Sequence, residues 1–246
     1  MNYPDQESLK EADNTHYWYK ARTNLILNLL AESLGGYNKN FKILDIGCGT
    51  GIETEIYKKF GEVYAMDKDD KIAVYLKNKN VNFILADVEN CELENGRYDC
   101  ICGFDILEHL EKDENAVRKI YSSLKKGGYF LFTVPAFNFL FGPHDVVTGH
   151  KRRYTKKSII RLLKNSGFTI KKISYWNSIL FPFIAIIRIY QKISLLLFPA
   201  KKAQTNVQPT NKLLNSLLYE ILDIENIKGF KNPLFPGLTI YGIAKK

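Results

Sequence analysis

The chain has 246 residues, 46% of them hydrophobic and 13% aromatic, and a formal net charge of +9. This composition excludes a disordered chain and supports one α/β domain with an insertion, or two small domains. Cys48, Cys91, Cys100 and Cys102 form no paired CxxC knuckles and no secretory apolar segment opens the chain, so reduced thiols and a cytoplasmic setting are expected.

The net charge hides a division. Residues 1–145 hold 17 Lys and Arg against 23 Asp and Glu, whereas residues 146–246 hold 18 against 3, with no acid between Val146 and Tyr219. A field this uneven attracts anions: nucleic acid, an anionic membrane surface or a phosphorylated substrate.

In chain order, residues 16–34 have helical apolar spacing, with Asn14 or Thr15 as N-cap and Gly35-Gly36 as the stop. Strand-like runs at 42–48, 62–67, 82–88, 98–107 and 127–136 then alternate with helical runs at 51–60, 70–79 and 113–126. This alternation predicts βαβ units, hence a parallel sheet covered on both faces. A helix from Thr155, a strand FTIKKISYW, an apolar stretch 178–199, a polar linker 200–211, an amphipathic helix 211–224 and a closing strand 238–246 complete the pattern. Cys100 and Cys102 alternate along the fourth strand and are expected in the core.

ILDIGCGTG (43–51) lies where the first strand passes into the first helix, and its glycines let a ligand approach the backbone at a helix N-terminus. The spacing is G-x-G-x-G, with Ile52 where a dinucleotide fingerprint has its third glycine. Asp45 precedes the loop, which disfavours a pyrophosphate and suits an ammonium group. Asp67 ends the second strand, placed to bind ribose hydroxyls. Asp87 ends the third and is placed to accept from an adenine amino group, with Val88 donating through its backbone. Any one of these acids alone would serve as a helix N-cap. Their order at successive strand ends outlines a site for a cationic nucleoside at the carboxyl edge of the sheet.

With DIGCGTG, Asp67 and Asp87 in place, the chain resembles the class I S-adenosylmethionine-dependent methyltransferases over nearly its whole length. The resemblance implies a Rossmann-like, mostly parallel seven-stranded sheet with helices on both faces, an antiparallel last strand and a helical insertion before it. It implies one domain: a cofactor-covering helix (1–36), a cofactor-binding core (37–136), a substrate loop, helix and sixth strand (137–177), an insertion (178–237) and the last strand (238–246). Gly47, Cys48, Gly49, Gly51, Lys68, Phe104, Asp105 and His109 then belong to the cofactor site. So do Tyr17 and Arg22, folded over from the N-terminal helix, with Arg22 pairing the cofactor carboxylate and Trp18 as a packing anchor. HYWYKAR (16–22) and HDVVTGHKRRYT (144–155) are similar to motifs of a bacterial subgroup acting largely on envelope, lipid-linked or glycan-related substrates.

All four histidines (His16, His109, His144, His150) fall in motif segments. A hydroxyl acceptor requires a base, and histidine is suited to that near neutral pH. In FDILEHL, Asp105, Glu108 and His109 have i, i+3, i+4 spacing similar to the E-x-x-E-H of ubiquinone-pathway O-methyltransferases, where such groups can hold a divalent metal. Alternatively Asp105 lines the methionine end of the cofactor while Glu108 and His109 cap the next helix. In GPHDVVTGHKRRYT the glycines and proline break regular structure, as a substrate loop requires. His144 and His150 are expected on the acceptor side with Asp145 orienting one imidazole, Arg152 and Arg153 on a substrate phosphate or carboxylate, and Tyr154 as wall or hydroxyl.

Residues 178–199 do not qualify as a membrane span: Pro182, Arg188, Gln191 and Lys192 interrupt them. Arg188, Gln191 and Lys192 share one helix face, opposite Ile186, Ile187, Leu196 and Leu197. This suits either an anionic membrane interface, with Lys201-Lys202 following, or a helix packed on the sheet or at a dimer seam. The favoured reading is a methyltransferase, peripheral at the inner membrane face if the first of these holds, using S-adenosylmethionine, releasing S-adenosylhomocysteine, and methylating an oxygen of a lipid-linked, glycan or prenylated quinone acceptor. The alternatives are an RNA methyltransferase, which lacks any appended RNA-binding module here, and a non-catalytic cofactor-binding subunit.

Overall fold

The computed structural model describes residues 15–37, 40–76, 79, 81–197, 211–228 and 235–246. Asn14 as a cap, Lys201-Lys202 and nearly all of the 200–211 linker lie outside the described residues, as do the side chains of Leu196 and Leu197.

Helix α1 (Tyr17–Leu34) buries Ala21, Leu25, Ile26, Leu29 and Leu30, an i, i+4, i+5 stripe facing the sheet. Its N-cap is His16, whose ring accepts from the Trp18 amide at 3.3 Å, not the expected Thr15. Gly35 adopts φ +72° and ends the helix, its amide bonding the Ala31 carbonyl.

Strands β1 (Phe41–Ile46), β2 (Gly61–Asp67), β3 (Asn82–Leu85), β4 (Tyr98–Phe104) and β5 (Leu124–Pro135) follow, with α2 (Ile52–Tyr57), α3 (Ile72–Leu76) and α4 (Asp113–Ser123) between them. Then come α5 (Pro143–Thr148), α6 (Lys156–Asn165), β6 (Thr169–Trp176), α7 (Phe181–Leu197), α8 (Lys212–Lys228) and β7 (Thr239–Lys245). The seven strands lie in the order β3-β2-β1-β4-β5-β7-β6. Neighbours from β3 to β5 pair in parallel, and β7 is antiparallel to both β5 and β6. Strand order reverses between β1 and β4, which opens a crevice at the carboxyl edge.

Both faces are buried, as the near-continuous apolar strands require. Leu44, Ile46, Ile101, Phe130 and Phe132 pack with Ile120 of α4 and Leu163 of α6. Ile43, Cys100, Cys102 and Leu131 point the other way, onto α1 and Leu222 of α8. Helix α8 is tied along α1 by polar bonds: Asn226 Nδ2 donates to the Ala21 carbonyl at 2.8 Å, and Asn24 Nδ2 to Asp223 Oδ1 at 2.8 Å.

Several boundaries differ from the sequence reading, and two of the shifts have a plain local cause. The helix expected to run to residue 126 stops at Ser123, because Leu124 is already extended and pairs with Tyr98. The third strand stops at Leu85: Asp87 accepts from the Glu89 amide at 2.9 Å and from Asn90 Nδ2, a local turn that competes with the ladder.

Gly242 lets β7 fit between its neighbours, since a Cβ there would lie 2.5 Å from Phe132 Cζ and 2.9 Å from the Lys172 carbonyl oxygen. Gly242→Ala is expected to cost roughly 1–3 kcal/mol in urea unfolding, as over-packed cores do.

Candidate active site

The turn after β1 places Gly47, Gly49 and Gly51 at φ of +74°, +50° and +70°. The Gly47 and Cys48 amides bond the Met66 carbonyl at 2.8 and 3.1 Å, so the loop is anchored to the end of β2. A side chain at Gly47 would meet Ile106 Cδ1 at 2.8 Å, and one at Gly51 would meet Leu76 Cδ2 at 2.2 Å. At Gly49 no described heavy atom lies within 4 Å of that direction, so its outer face is open. Asp67 Oδ2 accepts from the Gly49 amide at 3.1 Å and Oδ1 from the Asp69 amide at 3.0 Å, which fixes this carboxylate at the loop's mouth.

The neighbouring positions divide into lining and support. Asp87 is half-buried at the edge of the crevice, with Val88 buried behind it. Lys68 is exposed just past β2. Cys48 is buried against Ala65, Ile72 and Leu76, and burial pushes its thiol far up. Asp45 departs from the expected contact with an ammonium group. Its carboxylate is buried and accepts from Thr54 Oγ1 of α2 at 2.7 Å. Burial raises its pKa to about 7, against the opposing Thr54 hydrogen bond. It therefore supports the loop from within.

Arg22 also differs from its expected role. Its Nε donates to Asp105 Oδ2 at 2.9 Å and its Nη1 pairs with Glu53, so the guanidinium joins α1, α2 and the end of β4 and already has carboxylate partners. It lies over the Trp18 ring, 5.4 Å from the centroid, and the buried Phe104 ring is 6.0 Å away. Asp105 sits at φ +54°, an unusual backbone for a non-glycine residue, directly after the strand. Tyr17 is half-buried, and its amide donates to Asn215 Oδ1 of α8 at 2.9 Å.

The segment after β5 contains a short helix, α5, where the sequence reading has only a loop. Its N-terminal Asp145 is fully buried and organises the segment. His150 Nδ1 lies 2.8 Å from Asp145 Oδ1. Arg153 donates Nε to Oδ1 at 2.9 Å and Nη2 to Oδ2 at 3.0 Å, and the Gly142 amide donates to Oδ2 at 2.9 Å. Burial alone would raise the Asp145 pKa; the His150 bond and the Arg153 guanidinium outweigh it and hold the carboxyl well below the usual range.

Around this anchor the loop histidines meet the end of β4. The rings of His109 and His150 are 4.7 Å apart, and those of His144 and His150 are 6.1 Å apart, both edge-on. Burial, then the neighbouring His150, lowers His109 to about 4; burial, then Arg188, lowers His144 to about 4. Glu108 is 1% exposed, and among the described residues neither of its oxygens has a hydrogen-bond partner. Burial, then the Asp105 charge, pushes it well above the usual carboxylate range. His150 Nε2 is 4.0 Å from Glu108 Oε1. Ligand atoms of Glu108, His109 and His150 lie within 4.8 Å of one another, a set that could hold a metal ion. The spacing argument instead has Asp105 as the third member, and that carboxylate is engaged by Arg22.

The expected anion site at Arg152, Arg153 and Tyr154 is not assembled. Arg153 is buried on Asp145 and the Ala136 carbonyl. Arg152 bonds the Glu111 carbonyl at 2.9 Å and pairs with Asp113 at 3.2 Å. The Tyr154 hydroxyl, also buried, donates to Asp113 Oδ2 at 2.7 Å and approaches the Leu107 carbonyl. The three residues brace the loop against the segment that follows β4. Glu53, Thr54 and Arg188 emerge as site-supporting residues that sequence reasoning missed. Arg188 of α7 reaches to 3.7 Å from Asp145 Oδ2; its signal in the sequence is an arginine directly after the aliphatic run 184–187.

A glycine turn with an acid at the end of the next strand, at the switch point of such a sheet, defines a nucleoside-binding α/β enzyme. Residues 16–173 match the methyltransferase domain family, and the chain belongs to it. It is 30% identical over 127 residues to a carboxy-S-adenosyl-L-methionine synthase of Campylobacter concisus, covering 47% of this chain and 52% of that one. It is 27% identical over 108 residues to a ubiquinone biosynthesis O-methyltransferase of Coxiella burnetii, covering 41% and 46%. The chain thus spans about half the length of these curated relatives. A crystal structure of a SAM-dependent methyltransferase from Archaeoglobus fulgidus matches 97% of this chain and 99% of its own, with a TM-score of 0.58 at 18% identity, a likeness of fold.

Because the Asp45 pKa is raised on folding, its contribution to stability is full below the ordinary value of 3.8 and is lost as pH rises through about 7. Asp45→Asn keeps an acceptor for Thr54 without the ionisation. Its melting temperature relative to the wild type is expected to climb across that window, by roughly 2–4 °C per kcal/mol relieved, and then level off.

Proposed function

We propose that this chain is an S-adenosylmethionine-dependent methyltransferase acting on an oxygen of an amphiphilic or anionic acceptor, such as a lipid-linked or envelope-glycan precursor or a prenylated quinone intermediate. The observation that carries this reading is the Asp67 carboxylate bonded to the Gly49 amide at the open mouth of the glycine loop. The open face above Gly49 leaves room for a nucleoside, and Asp67 and Asp87 supply acceptors for its hydroxyls and amino group. Similarity to an O-methyltransferase and to a synthase of a carboxylated cofactor supports both the cofactor class and the oxygen acceptor.

When bound, the cofactor supplies a methyl group activated by its sulfonium. The displacement is in-line, so the chain contributes chiefly by holding the acceptor in near-attack geometry and excluding water. His150 takes the acceptor proton. Its Nδ1–H is donated to Asp145, which leaves the Nε2 lone pair on the opposite side of the ring. Arg153 and the Gly142 amide keep Asp145 ionised and in place. His109 and His144, neutral at physiological pH, flank this imidazole without adding charge.

A second reading is favoured by the partnerless Glu108 carboxylate: Glu108, His109 and His150 would hold a divalent ion. Two imidazoles and one carboxylate suit a transition metal or zinc better than magnesium. Such an ion would polarise the acceptor oxygen. The two readings exclude each other at one atom, because His150 Nε2 cannot both bind a metal and receive a proton.

Calorimetry with S-adenosylhomocysteine should show binding, weakened about tenfold or more by Asp67→Ala through loss of a charge-assisted hydrogen bond. No heat with the wild type would end the proposal. His150→Ala should lower kcat by roughly a hundredfold while leaving that affinity unchanged. Turnover that persists in excess chelator retires the metal reading, and turnover abolished by chelator and restored by zinc or manganese retires the base.

A further inference from the structure

Helix α7 is built inside out. Its face toward the protein carries Phe181, Ile184, Ala185, Arg188 and Gln191, with Arg188 directed at Asp145. Its outward face carries Phe183, Ile186, Ile187, Tyr190 and Ile193, spaced i, i+3, i+4, i+7, i+10. Phe183 is 68% exposed, Ile186 67% and Tyr190 70%. Arg188 and Gln191 of the polar face therefore turn inward, Lys192 stays exposed, and the aliphatic residues opposite them turn out. In α8, Leu213 and Leu217 are exposed as well. A water-facing stripe of this kind costs solubility unless something covers it.

We propose that the outward stripe of α7 docks in the plane of an anionic lipid bilayer. Charge selects this occupant over a second copy of the chain. No acid occurs between Val146 and Tyr219, so apposing two stripes would bring two basic stretches together, whereas an anionic surface complements them. Lys192 is exposed on the same helix. The helix has 17 residues, about 25 Å at the usual rise, and no helix among the described residues is long and apolar enough to cross a membrane. Lying in the interface buries the aromatic and aliphatic side chains while Lys192 meets headgroups. The inner face of the same helix reaches the Asp145–His150 pair through Arg188, so the docked surface adjoins the chemistry. This surface deepens the reading of an amphiphilic acceptor, but its test needs no methyl transfer.

The experiment is co-sedimentation of the full chain with phosphatidylcholine vesicles and with vesicles containing phosphatidylglycerol, alongside light scattering in the absence of lipid. The wild type should sediment with the anionic vesicles, less so at high salt. A double variant, Ile186→Glu with Tyr190→Glu, should lose at least ~tenfold in partitioning through two lost apolar contacts. Both positions are exposed, so its thermal unfolding should match the wild type, and a variant found unfolded would be replaced by Ile187→Ser with Ile193→Ser, for which the same loss is expected. Wild-type protein left in the supernatant overturns the proposal. Equal binding by wild type and variant overturns it too, since the basic surface alone would then account for attachment. A lipid-free dimer dissociated by the variant would assign the stripe to a second copy instead.

Discussion

One buried carboxylate sets the geometry of the candidate active site. Asp145 has no solvent exposure and is held by two guanidinium bonds from Arg153, a backbone amide and an imidazole. An ion this deep in the protein is tolerated only when charge and hydrogen bonding are both satisfied. Removing a partner would leave this buried charge underpaired. With all partners present, the loop 142–153 is fastened to the end of β5 through Ala136 and to α7 through Arg188. Of the two arginines that look like a substrate cradle in the sequence, Arg153 is the internal counter-charge of this anchor, and Arg152 pairs instead with Asp113.

The cofactor side rests on a different device, backbone conformation at strand ends. Three left-handed glycines and the left-handed Asp105 crowd the carboxyl edge of β1 and β4. Arg22 spans the gap between Asp105 and Glu53, so α1 is fastened over the loop by a charge pair with little solvent access. Non-glycine residues hold such backbone angles when the surroundings over-determine them. The two halves meet at Glu108, whose partnerless carboxyl lies between the strand-end segment and the loop histidines.

What was legible in the sequence was local. DIGCGTG, Asp67 and Asp87 declare themselves because each lies at, or within two residues of, the carboxyl end of its strand, and alternation of strands and helices fixes which edge they share. The sheet, with its reversed last strand, followed from the resemblance and is present. Arg153 was not legible: in KRR three cations look alike, and only the fold of α5 brings Asp145 to the third of them. Nor could periodicity orient α7, since it groups Arg188 with Gln191 but says nothing about which face turns inward. The buried anion eight residues before Arg153 drew Arg188 inward, against the rule that charges face water.

The role assigned to His150 depends on its tautomer, which a hydrogen bond to Asp145 should dictate. Long-range proton–nitrogen correlation spectra of the protein carrying nitrogen-15 histidine measure this directly in the absence of any acceptor. Nδ1 of His150 bearing the proton, with Nε2 showing the shift of an unprotonated ring nitrogen, is the predicted result. A proton resident on Nε2 would mean that the ring cannot accept one there, and the account of how this site moves a proton would be contradicted.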